Sequence, residues 1–239
     1  MSEIYRVRPD GLRAVEEIEE HYLWFSRPTS FGDENDADVF SFLKNNESIG
    51  QALERIFEGA TDIIAQSALI GICCFTGEVP ASKDMGYYPG ARRGIVVEYD
   101  KAVLEAHFLQ QNQIGDCFKA VAYSAQPTLF SSSNDNDVLW EDDGNLKTYK
   151  PINQIGMDQS LMDKLFLKMF TQITDKYQDQ REFRVILAGR NIPDRSVNLV
   201  GYKIIIPKEA IKKIYVHKQC NIEVKEKLNA MSYPVVELT

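Results

Sequence analysis

Apolar and polar positions follow two periods along this chain, and each change of period marks an element. Residues 4–8 (IYRVR) alternate with a period of two, which predicts a first strand. Pro9 ends it, and Asp10 is placed to cap a helix over GLRAVEEIEE. Residues 23–25 read as a short strand, stopped by Pro28. The polar stretch SRPTSFGDENDAD that follows is a loop between ordered elements, a favourable place for a binding loop. From 36 to 68 the apolar residues Leu53, Ile56, Phe57, Ala60, Ile63 and Ile64 recur at spacings of three and four, so this stretch is predicted to be mostly helical. Gly50 and Gly59 allow it to be two helices.

LIGICCFT, residues 69–76, is apolar throughout and reads as a central strand. A Gly- and Pro-rich loop leads to another strand over 94–99 (GIVVEY), after which Asp100 caps a helix through 111. Residues 119–124 read as a strand and SSSNDNDVLWEDDG as a surface loop. Residues 158–177 form an amphipathic pattern with Leu161, Leu165, Leu167, Met169, Phe170 and Ile173 on one side. Strands are expected over 181–188, 200–206, 213–216 and 235–238, and helices over 207–211 and 222–231. Strands that alternate irregularly with helices and then follow one another imply an α+β fold. We expect one domain over 1–239, with a mixed, largely antiparallel sheet and flanking helices.

Composition narrows the class. The 239 residues are 44% hydrophobic and 26% charged, which suits a folded chain with a substantial core. A net charge of −8 argues against broad binding to nucleic acid or to anionic membranes, and leaves room for a local basic groove. MSEIYRVRPDG has no apolar signal region, and the longest apolar run, near 68–75, is too short to span a bilayer. The expectation is a soluble, cytoplasmic protein. Cys73, Cys74, Cys117 and Cys220 form no C-x-x-C pair and read as small buried hydrophobes. His21, His107 and His217 are scattered, so no metal site is expected. Phosphate-loop, nucleophile-elbow and zinc-helix motifs are absent.

Three stretches carry candidate chemistry. In YQDQREFRVILAG, strand alternation places Gln180, Glu182 and Arg184 on one face. An amide, a carboxylate and a guanidinium together make a plausible site; the alternative is a surface ion pair worth roughly 0–1 kcal/mol. In YRVR, Arg6 and Arg8 face one way, and their planar forks suit phosphate or carboxylate. Ser26, Arg27, Thr29 and Ser30 lie beside Trp24, Phe25 and Phe31, a mixture that suits a nucleotide-like ligand unless the aromatics are simply core. KDMGYYPGARRG, with Tyr87, Tyr88, Arg92 and Arg93, reads as a lid over a ligand or as a packed surface loop. Glu16, Glu17, Glu19 and Glu20 read as a solvated helix face.

Taken in order, YRVR, FSRPTSFGDENDAD, ICCFT, MGYYPGARRGIVVEYD, VAYS and YQDQREFR resemble the series of motifs in a bacterial family known as domain of unknown function 2971, over roughly residues 4–214. Gly86 replaces the usual Trp after the Met, and Gln180 replaces the first Glu of the closing motif. That closing motif also resembles the Glu/Gln-x-Glu signature of ADP-ribosyltransferases of the Arg–Ser–Glu type. The second likeness implies an ADP-ribosyltransferase-like sheet and NAD as substrate, with no metal. It implies that Glu182 is catalytic and stabilises the charge that develops as nicotinamide leaves. Gln180 would position the acceptor, an unknown macromolecule modified at a group other than arginine. The diphosphate would be held by Arg6 or Arg8 and the ribose by Ser26. The usual Ser-Thr-Ser strand has only loose counterparts in FSRPTS and CFTGE. Two readings follow: an NAD-consuming transferase or glycohydrolase, and a non-enzymatic regulatory domain that binds a ligand or partner and in which the same charges hold the fold.

Overall fold

The computed structural model describes residues 2–28, 31, 70–81, 84–85, 93–110, 116–124, 140–142, 147–149, 167, 170–188 and 201–238. The first strand, β1 (Glu3–Arg8), buries Ile4 and Arg6 on one side. Helix α1 (Leu12–Glu19) follows. Its N-cap is Gly11, with no side-chain cap bond, so Asp10 does not cap it as expected. Asp10 lies one residue ahead of the cap position, where a carboxylate no longer faces the open N–H groups of the first turn. Strand β2 (Tyr22–Ser26) leads on to β3 (Ile70–Thr76), which is buried along nearly all its length. Strand β4 (Ile95–Asp100) runs directly into α2 (Lys101–Phe108).

Two short strands follow in place of the single one expected over 119–124. These are β5 (Lys119–Ala120) and β6 (Ala122–Ser124). Strand β7 (Trp140–Asp142), within the expected surface loop, pairs with β8 (Lys147–Tyr149) just beyond it. The helix expected over 158–177 does not reach its end. Residues 167 and 170 are helical, β9 (Gln172–Thr174) pairs in parallel with β6, and a 3-10 helix occupies Asp175–Gln180. The Thr171 hydroxyl donates to the Leu167 carbonyl at 2.7 Å and closes the last turn, while the Thr171 carbonyl accepts from Ala122 N and turns the chain into the β6 pairing. The remaining elements are β10 (Glu182–Ala188), β11 (Gly201–Ile205), a 3-10 turn at Lys208–Ala210 where a helix was expected, β12 (Ile211–Val216), α3 (Ile222–Asn229) and β13 (Val235–Glu237). The helical pattern over 36–68 and most of the KDMGYYPGARRG stretch lie outside the described residues.

The architecture is α+β, as expected, with a mixed and mostly antiparallel sheet. The nine-stranded sheet runs β11-β2-β3-β1-β4-β12-β13; β10 pairs along all of β3, and β5 pairs with β10. Strand β3 meets β1 only at Thr76, opposite Tyr5, and meets β2 only at Ile72, opposite Ser26. The sheet therefore has a seam between β1 and β2. Arg6 spans it, donating from Nη2 to the Trp24 carbonyl at 2.7 Å and so satisfying a carbonyl in the seam. At the outer edge Gly201 permits close approach: a Cβ there would lie 2.5 Å from the Phe25 carbonyl oxygen.

Register gives the sheet two distinct faces. One carries Ile4, Cys73, Phe75, Val97 and Val185, and is covered by Ala14, Val15 and Ile18 of α1, Leu104 and Phe108 of α2, and Val224 and Leu228 of α3. Phe75 packs edge-on against Phe118 and Tyr99 there. The other face carries Tyr5, Thr76, Cys74, Glu182 and Arg184, with a smaller apolar cluster at Met85, Val96 and Leu238. Among the described residues, no helix is long and apolar enough to cross a membrane.

Candidate functional site

Strand β10 brings Glu182 and Arg184 to the second face, opposite Thr76 and Cys74 of β3. The two side chains form a two-pronged ion pair. Arg184 Nε donates to Glu182 Oε1 at 2.6 Å, and Nη2 donates to Oε2 at 3.2 Å. Arg184 Nη1 donates to the Phe170 carbonyl at 2.9 Å, and the Phe31 ring lies 5.4 Å from the guanidinium. Arg184 is fully buried and Glu182 is 7% exposed, so the pair is not the surface ion pair that the sequence allowed. The backbone is pinned as well: Glu182 N donates to the Tyr123 hydroxyl at 2.7 Å, and the Glu182 carbonyl accepts from Val121 N. Thus Glu182, Arg184 and Phe31, all singled out in the sequence, come together.

The other expected residues are distributed differently. Gln180 is buried, but it belongs to the 3-10 helix ahead of β10. Arg181 between them has φ 44°, so the simple alternation that put Gln180 on the strand face does not extend through it. Ser26 shares the face of Glu182 but pairs with Ile72, four residues along β3 from Thr76, or ~13 Å at the strand rise. Arg27 beside it is buried, its guanidinium 5.0 Å from the Tyr202 ring centre. Tyr87 lies outside the described residues.

Arg6 and Arg8 point to the helix-covered face, because Tyr5, next to Arg6, registers with Thr76 on the face of Glu182 and side chains alternate along the strand. Both are held by one carboxylate. Arg6 Nη1 lies 3.2 Å from Glu17 Oε2 and Arg8 Nη2 lies 2.5 Å from Oε1. Glu17 is therefore not part of a solvated helix face; it is 2% exposed, on the same side of α1 as Ala14 and Ile18. Burial, and then Arg6, push the Arg8 guanidinium below its ordinary value, while Glu17 opposes them.

A cleft of about 400 Å³ opens where β3 and β10 begin to diverge. It is lined by Thr76, Glu78, the apolar residues 79–81, Asp84, Asp179 and Arg181. Met85 is fully buried against Val96 and Leu238 and anchors the turn that carries Asp84. The Asp84 N–H closes that turn on the Ala81 carbonyl at 2.8 Å. Arg181 reaches Glu78 at 2.6 Å in an exposed ion pair. Thr76 is only 2% exposed. Among the described residues, neither Asp84 nor Asp179 is in an ion pair. Sequence reasoning touched Thr76 and Glu78 only through CFTGE and Asp84 only within KDMGYYPGARRG, and it gave Asp179 and Arg181 no site role. The one available signal was CFTGE, a hydroxyl and an acid at the end of a strand.

None of the four cysteines is in a disulfide. Among the described residues, no group of three or more His, Cys, Asp or Glu side chains is arranged to hold a metal ion. Comparison of the chain with family models, with curated proteins and with solved structures gives no match.

Proposed function

We propose that this protein is a non-enzymatic regulatory domain that binds a ligand in the cleft beside Thr76, with its buried ion clusters acting as struts of the sheet. The observation that carries this reading is the Glu182–Arg184 pair. Each carboxylate oxygen is held by one Arg184 nitrogen, and a third nitrogen is tied to Phe170. A carboxylate neutralised and buried in this way holds Arg184 in place, and Arg184 ties β10 to the Phe170 carbonyl. The test is Glu182→Gln, which keeps the shape and removes the charge. Leaving Arg184 buried without its partner is expected to cost about 3–5 kcal/mol in urea unfolding. NAD incubated with wild-type or variant protein and candidate acceptors stays intact. Consumption of NAD by the wild type, lost in a folded Glu182→Gln variant, would overturn the reading.

A second reading, an NAD glycohydrolase or ADP-ribosyltransferase on an ADP-ribosyltransferase-like sheet, is favoured by one observation. Thr76, the strand-end hydroxyl of CFTGE, registers directly with Glu182 and lines the cleft. In that reading a nucleotide-like substrate lies across Thr76, Glu182 stabilises the ribosyl cation and Gln180 orients a macromolecular acceptor. Arg6 and Arg8 take no part, since both are committed to Glu17 on the other face. The same NAD incubation decides between the two.

A further inference from the structure

We infer that β13 is a pairing edge, through which two copies of this chain join, antiparallel, into one continuous sheet. The inference stands apart from the ligand-binding reading and does not depend on what the cleft holds.

The nine-stranded sheet ends at β11 and at β13. An open strand edge is a template for another strand, and a charged side chain in its middle guards against that pairing. Strand β11 carries such a guard. Its central residue, Lys203, is exposed and reaches Glu16 and Glu20 of α1. Pairing two copies about Lys203 would press one charged cluster against its own copy. Strand β13 reads VVE, and its central residue is Val236, 44% exposed.

Among the described residues β13 is bound on one side only, by β12 in parallel. Ile214 N donates to the Pro234 carbonyl, and Leu238 N donates to the Val216 carbonyl. The register that carries these bonds sets Val236 beside Tyr215 and turns the main-chain groups of Val236 toward β12. The N–H and carbonyl groups of Val235 and Glu237 therefore point outward, and none of them makes a backbone bond among the described residues. Main-chain groups of this kind are obligatory bonding partners, for water or for another strand.

A second β13 answers all of them in a single register. With a twofold axis at Val236, Val235 of each copy lies opposite Glu237 of the other. Each such pair exchanges both N–H···O bonds, so every outward group is used. Val236 meets its own copy at the position between, where side chains of an antiparallel pair come closest, and its exposed methyl groups are covered. The neighbouring registers are worse. Centring on Glu237 sets two carboxylates face to face. Centring on Val235 sets Glu237 opposite Tyr233, which lies outside the strand.

The pairing also fixes where the clefts go. Directly opposed residues of an antiparallel pair share a face, so both clefts open on the same side of the joined sheet. A partner that presents its group twice would engage both and gain from the second contact. A ladder three residues long falls short of the about 1,000 Å² that marks a stable interface. The dimer therefore forms and dissociates with protein concentration.

The test is sedimentation equilibrium of the full chain from dilute to concentrated solution. A reversible monomer–dimer equilibrium is expected. Val236→Lys sets two ammoniums across the axis, and Glu237→Pro removes an outward N–H and no bond to β12. Each weakens association about tenfold or more. Glu237→Gln keeps the N–H and does not weaken it. Circular dichroism of the dilute variants matches the wild type, since the outward groups hold nothing within one copy. The register is read with Val236→Cys. Oxidation joins two copies through that position, where the Cα spacing suits a disulfide, whereas Val235→Cys joins them poorly. A monomer at every concentration would overturn the inference. So would a dimer that survives both Val236→Lys and Glu237→Pro in folded protein, or cross-linking as efficient from position 235 as from 236.

Discussion

Glu17 shows how far one side chain can depart from its surroundings in the sequence. It stands in the run VEEIEE, where four acids look like one wet surface. Glu16 and Glu20 do face water and hold Lys203, whereas Glu17 turns in with Ala14, Val15 and Ile18 and receives both Arg6 and Arg8. Two guanidiniums and one carboxylate leave an excess positive charge under the helix layer, so removal of the carboxylate is far more damaging than loss of an exposed pair. Glu17→Ala is expected to cost about 3–5 kcal/mol in urea unfolding, and less when Arg6 is replaced by Met in the same chain, because the stranded charge is then gone. Equal destabilisation by the single and double variants would mean that the cost comes from lost packing instead. The spacing of Glu17 three residues beyond Ala14 and one before Ile18 was the available sign of its inward direction, and it is visible only once α1 is known to lie on its apolar stripe.

At the scale of the element, Asp100 and Asp10 make a controlled pair. Both were read as caps, and only Asp100 is one. It is the last residue of β4, and its Oδ1 accepts from Val103 N at 3.1 Å while Oδ2 lies 3.2 Å from Lys212. The Val103 N–H and then Lys212 hold its carboxyl below the usual range. A depressed folded value means that its contribution is complete above the ordinary carboxylate range and is lost as the pH falls through the folded value. Asp100→Asn keeps a capping oxygen without the charge, so it should be close to wild type in cap strength near neutrality, and its stability should fall less steeply below about pH 4. Asp100→Ala loses the cap at every pH, at about 1 kcal/mol. Thermal unfolding from neutral pH to acid separates the two; parallel acid curves for Asp100→Asn and wild type would refute the charge effect. The strands 70–76, 95–100 and 182–188 were readable because each holds a run of three or more apolar residues rich in β-branched side chains. Strand β9 was not, because Ile173 keeps helical spacing with Phe170 and only the Thr171 bond back to Leu167 ends the turn. The burial of Glu182 and Arg184 was hidden for a different reason. It depends on β3 and β5 closing both sides of β10, and these partners lie some 60 to 110 residues earlier in the chain.

The molecule as a whole is a sheet with a helix-covered face and a face that carries the cleft, and Cys73 and Cys74 sample the two from adjacent positions. Cys73 is buried among Phe75, Val185 and the helix residues, and burial pushes its thiol up to about 11. At pH 8 that leaves only about one thousandth of it as thiolate, the form that reacts. Cys74, opposite Arg184, is half-buried on the other face. A thiol reagent should therefore modify Cys74 in the folded protein, and Cys73 only when the helix layer separates from the sheet. If that separation requires the whole sheet to unfold, the modification rate of Cys73 follows global stability, and Glu17→Ala accelerates it roughly a hundred- to several-thousand-fold, the factor that ~3–5 kcal/mol commands. The link is direct, since Arg6 bridges the seam between β1 and β2 on the same face as Cys73 and depends on Glu17 to be there. Peptide mapping after timed labelling resolves the two cysteines. Acceleration of Cys73 by the expected factor would show that the buried charge cluster and the central strand open as one cooperative unit. An unchanged Cys73 rate in a destabilised Glu17→Ala protein would show that the helices lift away from an intact sheet.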